Sequence, residues 1–331
     1  MDNIKDLKVN LESKILGSKK VVLIPHTPID FDAFASTIGL SLVVSKLQKP
    51  FVILVDDPAY KTEHSVKKVM DEAKKSFNIV NKEKYLKIKE EDDLFILADV
   101  NKSNLICLSD ELKNVNKDNI VIIDHHDIGS TTIETNYSFI DTNSSSASEI
   151  VFKLLNMFKI KCPIDVANYL LAGIYLDTNR LEKNVTSDTH KIIAKLMEFG
   201  ASNCVVDNWF AEDFESDKRV LDLVGKTKLY KYSFAIVLAE EECEYTREEL
   251  AKVADYLLKY GVDASFAIGK IDESVVSISA RSKEKVNVGE VMKELDGGGN
   301  RYSAATKITD KSIEEVGKEL VKLIESPYII K

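Results

Sequence analysis

The chain has 331 residues, 44% of them apolar and 30% charged, with a net charge of −9. That length suits two domains of ordinary size with real cores, and that charge argues against a broad, non-specific grip on long nucleic acid, which needs a basic face. No uncharged apolar run reaches the about 18 residues of a membrane span, MDNIKDLKVNLESKI has no apolar signal core, and Cys107, Cys162, Cys204 and Cys243 lack metal-type pairing, so a reduced, cytoplasmic setting is expected.

In chain order, Val21–Ile24, Phe51–Val55, Leu94–Leu97 and Ile120–Ile123 are short, apolar and rich in β-branched residues, as buried parallel strands are. Between the first two, Ala33–Leu47 sets Phe34, Ile38, Leu42 and Leu47 near helical spacing. Strand and helix alternating in this way predict a parallel sheet with helices on both faces. Helices are predicted over Ser146–Met157, Ile164–Leu176 and Asp188–Phe199. The polar stretch from Val205 to about residue 227 holds Trp209 and Phe210 and reads as a partly helical connector. It divides a first domain, 1–204, from a smaller α/β domain, 228–331. There Phe234–Leu238, Ala264–Ile268 and Val275–Ala280 read as strands, and Arg247–Leu258 and Val288–Leu295 as helices. Ile313–Ile324 closes the chain behind a capping box, Ser312 to Glu315.

The apolar runs of the first domain keep ending in potential metal ligands. Val21–Ile24 leads into His26, Asp30 and Asp32, Leu94–Leu97 into Asp99, and Ile120–Ile123 into Asp124, His125 and His126. Three of only five histidines lie in these motifs. Ligands of open α/β sheets gather at the carboxyl ends of strands, so these groups are expected to form one site. Asp177 joins them at the end of the apolar run LLAGIYLD, an odd place for a charge without a partner. Taken singly, Asp30 is a natural helix N-cap, Asp99 a loop carboxylate, and the adjacent histidines surface groups; that reading must then accept four coincident strand-end or buried acids. Carboxylates and imidazoles without thiolates favour manganese, iron or zinc over calcium. Two such ions about 3.5–4 Å apart are a standard apparatus for phosphoester hydrolysis.

In the second domain, Asp296-Gly297-Gly298-Gly299-Asn300-Arg301 lets backbone amides approach a ligand closely, although three glycines alone are equally a flexible turn. Arg281, in ISARS, sits at the end of a strand where an unpaired guanidinium is costly; it suits bidentate phosphate contact, or pairing with a carboxylate. A glycine-rich loop and an arginine facing a metal-bound phosphate predict a ligand cleft between the domains.

Together these residues resemble the DHH–DHHA1 phosphoesterases over roughly Lys20 to Ile308. His26/Asp30/Asp32 is similar to the first family motif, Asp99 to the second, Asp124-His125-His126 to the third and Asp177 to the fourth, while ISARS and GGGN resemble the DHHA1 signature. The resemblance implies two Mn2+, or other divalent ions. His26, Asp30 and Asp99 would hold one, and Asp32, Asp99, His125 and Asp177 the other, with Asp99 bridging. It further implies that His126 contacts the phosphate, that Asp124 supports the ligands from behind, and that Arg281 with Gly297, Gly298, Gly299 and Asn300 holds the distal phosphate or nucleotide. Asp99, His126 and Arg281 are the implied catalytic groups.

Within the family, FIDTNSSSASEIV, LLAGIYLDTNRL, AEDFE and GVDASFAI are similar to the catalytic half of cyclic-di-AMP phosphodiesterases. The expected activity is hydrolysis of cyclic-di-AMP, or linear pApA, by a freestanding protein with no membrane partner, and the resemblance implies a homodimer. The domain content instead resembles nanoRNase/pAp phosphatases acting on short oligoribonucleotides or pAp. A catalytically weak nucleotide sensor is the third reading. It rests on Asn300, which stands where the family has a histidine and cannot carry a proton's charge.

Overall fold

The structure is a computed structural model describing residues 3–55, 64–211, 214–231, 233–283 and 285–325. It divides into two units, Met1–Ala211 and Glu212–Lys331, each built on its own sheet. The first unit runs α1 (Ile4–Gly17), β1 (Val21–Pro25), α2 (Phe31–Lys46), β2 (Phe51–Leu54), α3 (His64–Ser76), β3 (Ile79–Val80), α4 (Lys82–Ile88) and β4 (Leu94–Ala98). It continues through α5 (Ser109–Leu112), β5 (Ile120–Asp124), β6 (Tyr137–Ile140), α6 (Ala147–Met157), α7 (Ile164–Asp177), α8 (Ser187–Glu198) and α9 (Asn203–Trp209).

Its six strands lie in the order β3-β2-β1-β4-β5-β6, every neighbouring pair parallel. The continuous apolar character of the strands follows from burial on both faces. Val21 and Leu23 of β1 enter a large core with α1, α2, α6 and α7, while Val22 and Ile24 enter a smaller one with Tyr85 of α4 and Leu112 of α5. The strand order reverses between β1 and β4. Connections leave these two neighbours toward opposite edges, which opens a crevice at their carboxyl ends.

α2 is buried nearly all round. Its Ser36, Thr37 and Ser41 hydroxyls donate back to carbonyls of their own helix, so no polar group is stranded. Gly39 lets it meet α6 closely: a Cβ there would lie 2.6 Å from Val151 Cγ1. Phe31 at its start stacks on Trp209 at 5.5 Å and meets Phe210 at 5.3 Å. The apolar part of the expected connector is thus packed on the first unit's core.

The second unit runs α10 (Phe214–Val224), β7 (Lys228–Tyr230), β8 (Phe234–Leu238), α11 (Arg247–Leu258), β9 (Ala264–Asp272) and β10 (Val275–Ser282). α12 (Val288–Lys293), β11 (Gly298–Gly299), β12 (Ser303–Thr309) and α13 (Ile313–Ile324) follow. Its sheet is mixed, in the order β11-β12-β10-β9-β8-β7, with only β8 and β9 parallel. The expected Ser312/Glu315 capping box opens α13, and Thr246/Glu249 makes a second at α11. β10 runs two residues beyond its apolar stretch, so Arg281 lies within the ladder, between Ser265 and Ser303. No described helix is long and apolar enough to cross a membrane.

Candidate metal centre

The residues immediately after β1 and β4, on either side of the crevice, are His26 and Asp99; Asp124 ends β5, and His125 and His126 follow. Asp99 stands in the left-handed backbone region, φ 59°, with its N–H donating to Ile123 O at 2.9 Å. That conformation is uncommon outside glycine and concentrates at functional sites.

His26 Nε2 lies 3.2 Å from Asp30 Oδ2 and 3.5 Å from Asp99 Oδ2. His125 Nε2 lies 2.9 Å from Asp177 Oδ2, 3.4 Å from Asp99 Oδ1 and 3.9 Å from Asp32 Oδ2. His26, Asp30 and Asp99 therefore form one ligand set, and Asp32, His125 and Asp177 another. Asp99 turns one carboxylate oxygen to each. Asp99 Oδ1 and His125 Nε2 are buried without a hydrogen-bond partner among the described residues. Such orphaned atoms cost about 1–3 kcal/mol each, and a nitrogen and oxygen donor set around them fits a pair of divalent cations.

The charges crowd. Burial favours a neutral His26, but Asp30 and Asp99 outweigh it and raise its pKa to about 11. Burial likewise opposes the charge on His125, and Asp177 and Asp99 override it, to about 12. Asp32 is pushed well above the carboxylate range by burial, then by Asp99 and Asp177; Asp177 is pushed up, chiefly by burial. Protons thus do the neutralising that cations would do, and metal binding would displace them.

Asp30 also caps α2, its Oδ1 accepting from Ala33 N at 2.9 Å while Oδ2 faces His26. The cap uses one oxygen and leaves the other facing His26, so the two readings are compatible. Asp124 is different, because its oxygens are taken. Oδ1 accepts from His125 N at 2.7 Å and meets His126 Nδ1 at 2.9 Å, and Oδ2 accepts from Asn101 Nδ2 at 2.7 Å. Burial would raise its pKa, but His126 and these amides hold it below the usual range. With Asp99, His125 and His126 it also forms a further group that could hold an ion. With Nδ1 so engaged, the half-exposed His126 keeps Nε2 free.

Three contributors carry no signal that the sequence reading used. Asp32 also accepts from Ala147 N at 2.7 Å and Ser148 N at 2.9 Å, the first amides of α6, which fix its carboxylate. Gly173 lets α7 pass this carboxylate: a Cβ there would lie 2.8 Å from Asp32 Oδ1 and 3.0 Å from its Cα. Asn101, buried, donates to Asp124 and to His126 O. The small Ala172–Gly173 pair in an otherwise bulky run is the one trace of this in the sequence.

Two cavities border the centre, and His126 lines both. The first, about 640 Å³, lies beside His125 and Asp177 and includes Asn143, Lys183 and Thr186. The second, about 330 Å³, lies beside His26 and Asp30. Arg281 and Gly297–Asn300 belong to the second unit. Arg281 Nε donates to Asp255 Oδ1 at 2.9 Å, the carboxylate pairing that the sequence left open. Gly297 and Gly298 line a cavity of about 380 Å³ with Ser277, Ser279, Arg247 and Lys307. Asn300 Oδ1 accepts from Tyr302 N and Ser303 N, both at 2.9 Å, and closes its own turn.

Strand-end ligands at the switch point of a parallel sheet, followed by a glycine-loop unit, fit one class. The chain belongs to the DHH family: residues 20–174 match the DHH family N-terminal domain and residues 230–326 the DHHA1 domain. It is 32% identical to cyclic-di-AMP phosphodiesterase GdpP of Bacillus subtilis (strain 168) and 27% identical to cyclic-di-AMP phosphodiesterase PdeA of Listeria monocytogenes, over 96% of this chain and 49% of each relative. It is also 28% identical, over 96% of its length, to a membrane protein–large ribosomal subunit bL9 fusion protein of Aster yellows witches'-broom phytoplasma, covering 38% of it. The chain spans about half or less of the length of these curated relatives. Among solved structures, an exopolyphosphatase-related protein of Bacteroides fragilis shares the fold, with a TM-score of 0.74 at 20% identity, over 97% of this chain and 95% of that one.

Proposed function

We propose that the chain is a two-metal phosphodiesterase that hydrolyses a small dinucleotide, with cyclic-di-AMP or linear pApA as substrate and manganese as the working ion. One observation carries the reading: Asp99, buried, offers one oxygen to each of two ligand sets and leaves Oδ1 unmatched. The choice of substrate is supported by the names of the Bacillus and Listeria relatives, which align with almost all of this chain.

Ions bound by the two sets would lower the pKa of water and neutralise charge on phosphoryl oxygens. The residues themselves supply orientation. Asp30 and Asp32 are fixed by helix amides, so the ligands arrive pre-arranged. Asp124 accepts from His126 Nδ1 and raises the pKa of the ring, so its Nε2–H can donate to a phosphoryl oxygen as charge develops. On the second unit, Asp255 fixes the Arg281 guanidinium. Arg281, the amides of Gly297–Gly299 and the Asn300 Nδ2 group are proposed to hold the distal nucleotide.

A nanoRNase or pAp phosphatase is the second reading, and Asn300, whose carbonyl closes its own turn and which offers a neutral donor where the family has a histidine, bears on the choice of substrate. Against a catalytically weak sensor stands the intact pair of ligand sets around Asp99. The test is hydrolysis of cyclic-di-AMP, pApA, pAp and pyrophosphate, side by side, with manganese and with chelator. Manganese-dependent loss of cyclic-di-AMP is expected. Turnover of pApA or pAp alone selects the second reading, and tight binding without turnover selects the sensor. A homodimer free in the cytoplasm completes the proposal, and light scattering of the purified chain checks its oligomeric part.

A further inference from the structure

The smaller cavity beside the centre contains a lysine that nothing above uses. Lys102, half-buried, lines it together with His26 and His126, and Pro28, Val100 and Leu105 form an apolar wall. Three carboxylates of the centre, Asp30, Asp99 and Asp124, line the same cavity. The Lys102 ammonium nevertheless makes no ion pair with them, nor with any described residue. The backbone on either side of Lys102 is tied down. Ser103 N donates to Thr131 O, Ile133 N to Asn101 O, and Thr27 N to Leu105 O, at 3.1, 2.7 and 2.6 Å. The Asn101 side chain ties the same segment to Asp124. Lys102 thus stands on a hydrogen-bonded strap and lines a cavity of about 330 Å³, the size of a site for one small ligand moiety.

We propose that Lys102 is a specificity-determining residue that binds the phosphate next to the scissile one, with the apolar wall against the intervening nucleoside. The inference rests on the phosphodiesterase reading above. It follows from how the charges are distributed. A scissile phosphate at the centre already faces the metal ligand sets and His126. The same cavity offers apolar side chains, Pro28, Val100 and Leu105, and a lysine whose ammonium has no ion pair among the described residues. That combination suits a nucleoside carrying a second anion. A substrate with a single phosphate leaves the ammonium unmatched, so the pocket selects a dinucleotide bearing two phosphates over a dinucleoside monophosphate.

The experiment compares pApA with ApA, which share the scissile diester and differ in the second phosphate. Turnover by the manganese-loaded full chain is read first. Calorimetric binding is then read with the methylenephosphonate analogues of both, in which a P–C bond replaces the scissile P–O bond. In Lys102→Met, affinity for the pApA analogue is expected to fall by about 10- to 100-fold, the scale of a lost charge-assisted contact. The ApA analogue should lose far less, so the preference between the two collapses. Lys102→Arg, which keeps the charge, should retain most of the preference. Equal loss on both analogues would place Lys102 against the scissile group and overturn the inference, as would a wild-type protein that binds both alike. Absence of wild-type turnover on every substrate would instead overturn the phosphodiesterase reading, while the binding comparison still reads Lys102.

Discussion

Asp99 in the first unit and Glu249 in the second are each 2% exposed, and their surroundings are opposite. Glu249 accepts from Thr246 N at 2.8 Å, from Ser216 Oγ at 2.9 Å and from the Arg219 guanidinium, so each oxygen has a donor. Asp99 faces the like charges of Asp32 and Asp177, and its Oδ1 makes no hydrogen bond, the ring nitrogens of His125 and His126 standing 3.4 Å away. A carboxylate buried to hold a fold together is matched by that fold. One buried to hold a ligand is left for the ligand to match.

The largest effect should come from the unmatched acid. Asp99→Asn keeps the shape and removes the charge offered to both ligand sets. Turnover is expected to fall by about 10³-fold or more, the upper range for losing one electrostatic stabiliser. In chelator its melting temperature should stay within a few degrees of wild type or rise, because like-charge crowding is relieved. Added manganese should raise the melting temperature of the wild type and not that of the variant. Kinetics and melts with and without manganese check both halves. A variant that unfolds readily in chelator would break the comparison, since Asp99 would then be structural.

Gly173→Ala ranks next. Its new methyl would meet Ser148 Oγ at 2.3 Å, which a rotamer change relieves, and the Asp32 Cα at 3.0 Å, which none does. Misplacing Asp32 by a fraction of an ångström is expected to cost up to about 100-fold in turnover, with about 1–3 kcal/mol of overpacking. Gly39→Ala is the control: it crowds Val151 in the same helix layer away from the centre, and should lower stability without a matching loss of rate. Equal rate losses in the two variants would show that Gly173 acts through packing alone.

The convergence of the strand-end histidines and aspartates was legible because each follows a short apolar run, and the parallel sheet fixes where such runs end. The dual use of Asp30 was half legible, since an N-cap is a local pattern while its second oxygen answers to His26. What stayed hidden is long-range. The partners of Asp32 are amides of α6, and the need for Gly173 arises only when α7 crosses α2. β6 escaped because Tyr-Ser-Phe-Ile is only four residues long, and β12 because Ser-Ala-Ala-Thr-Lys-Ile-Thr carries little apolar signal; β6 is an edge strand, and β12 has only the two-residue β11 outside it. α1 reads as polar in sequence, yet Leu7, Leu11 and Ile15 are fully buried on the first core, four residues apart on one face.

The matched acid gives the smallest effect and the cleanest sign. Burial alone would raise the pKa of Glu249, but the Thr246 amide, the Ser216 hydroxyl and Arg219 together hold it below the ordinary glutamate value. A carboxyl whose pKa is lower folded than unfolded stabilises the fold above its unfolded value of about 4.3. That contribution fades as pH falls through the lower, folded value. Glu249→Gln should therefore cost about 1–3 kcal/mol at neutral pH, and the gap from wild type should narrow as the pH drops below about 4. Thermal or urea unfolding of the full chain at several pH values reads this, and turnover should be unchanged because Glu249 lies outside the metal centre. A gap that is absent at neutral pH, or that widens in acid, would mean that the matched carboxylate contributes no more to the fold than the unmatched one.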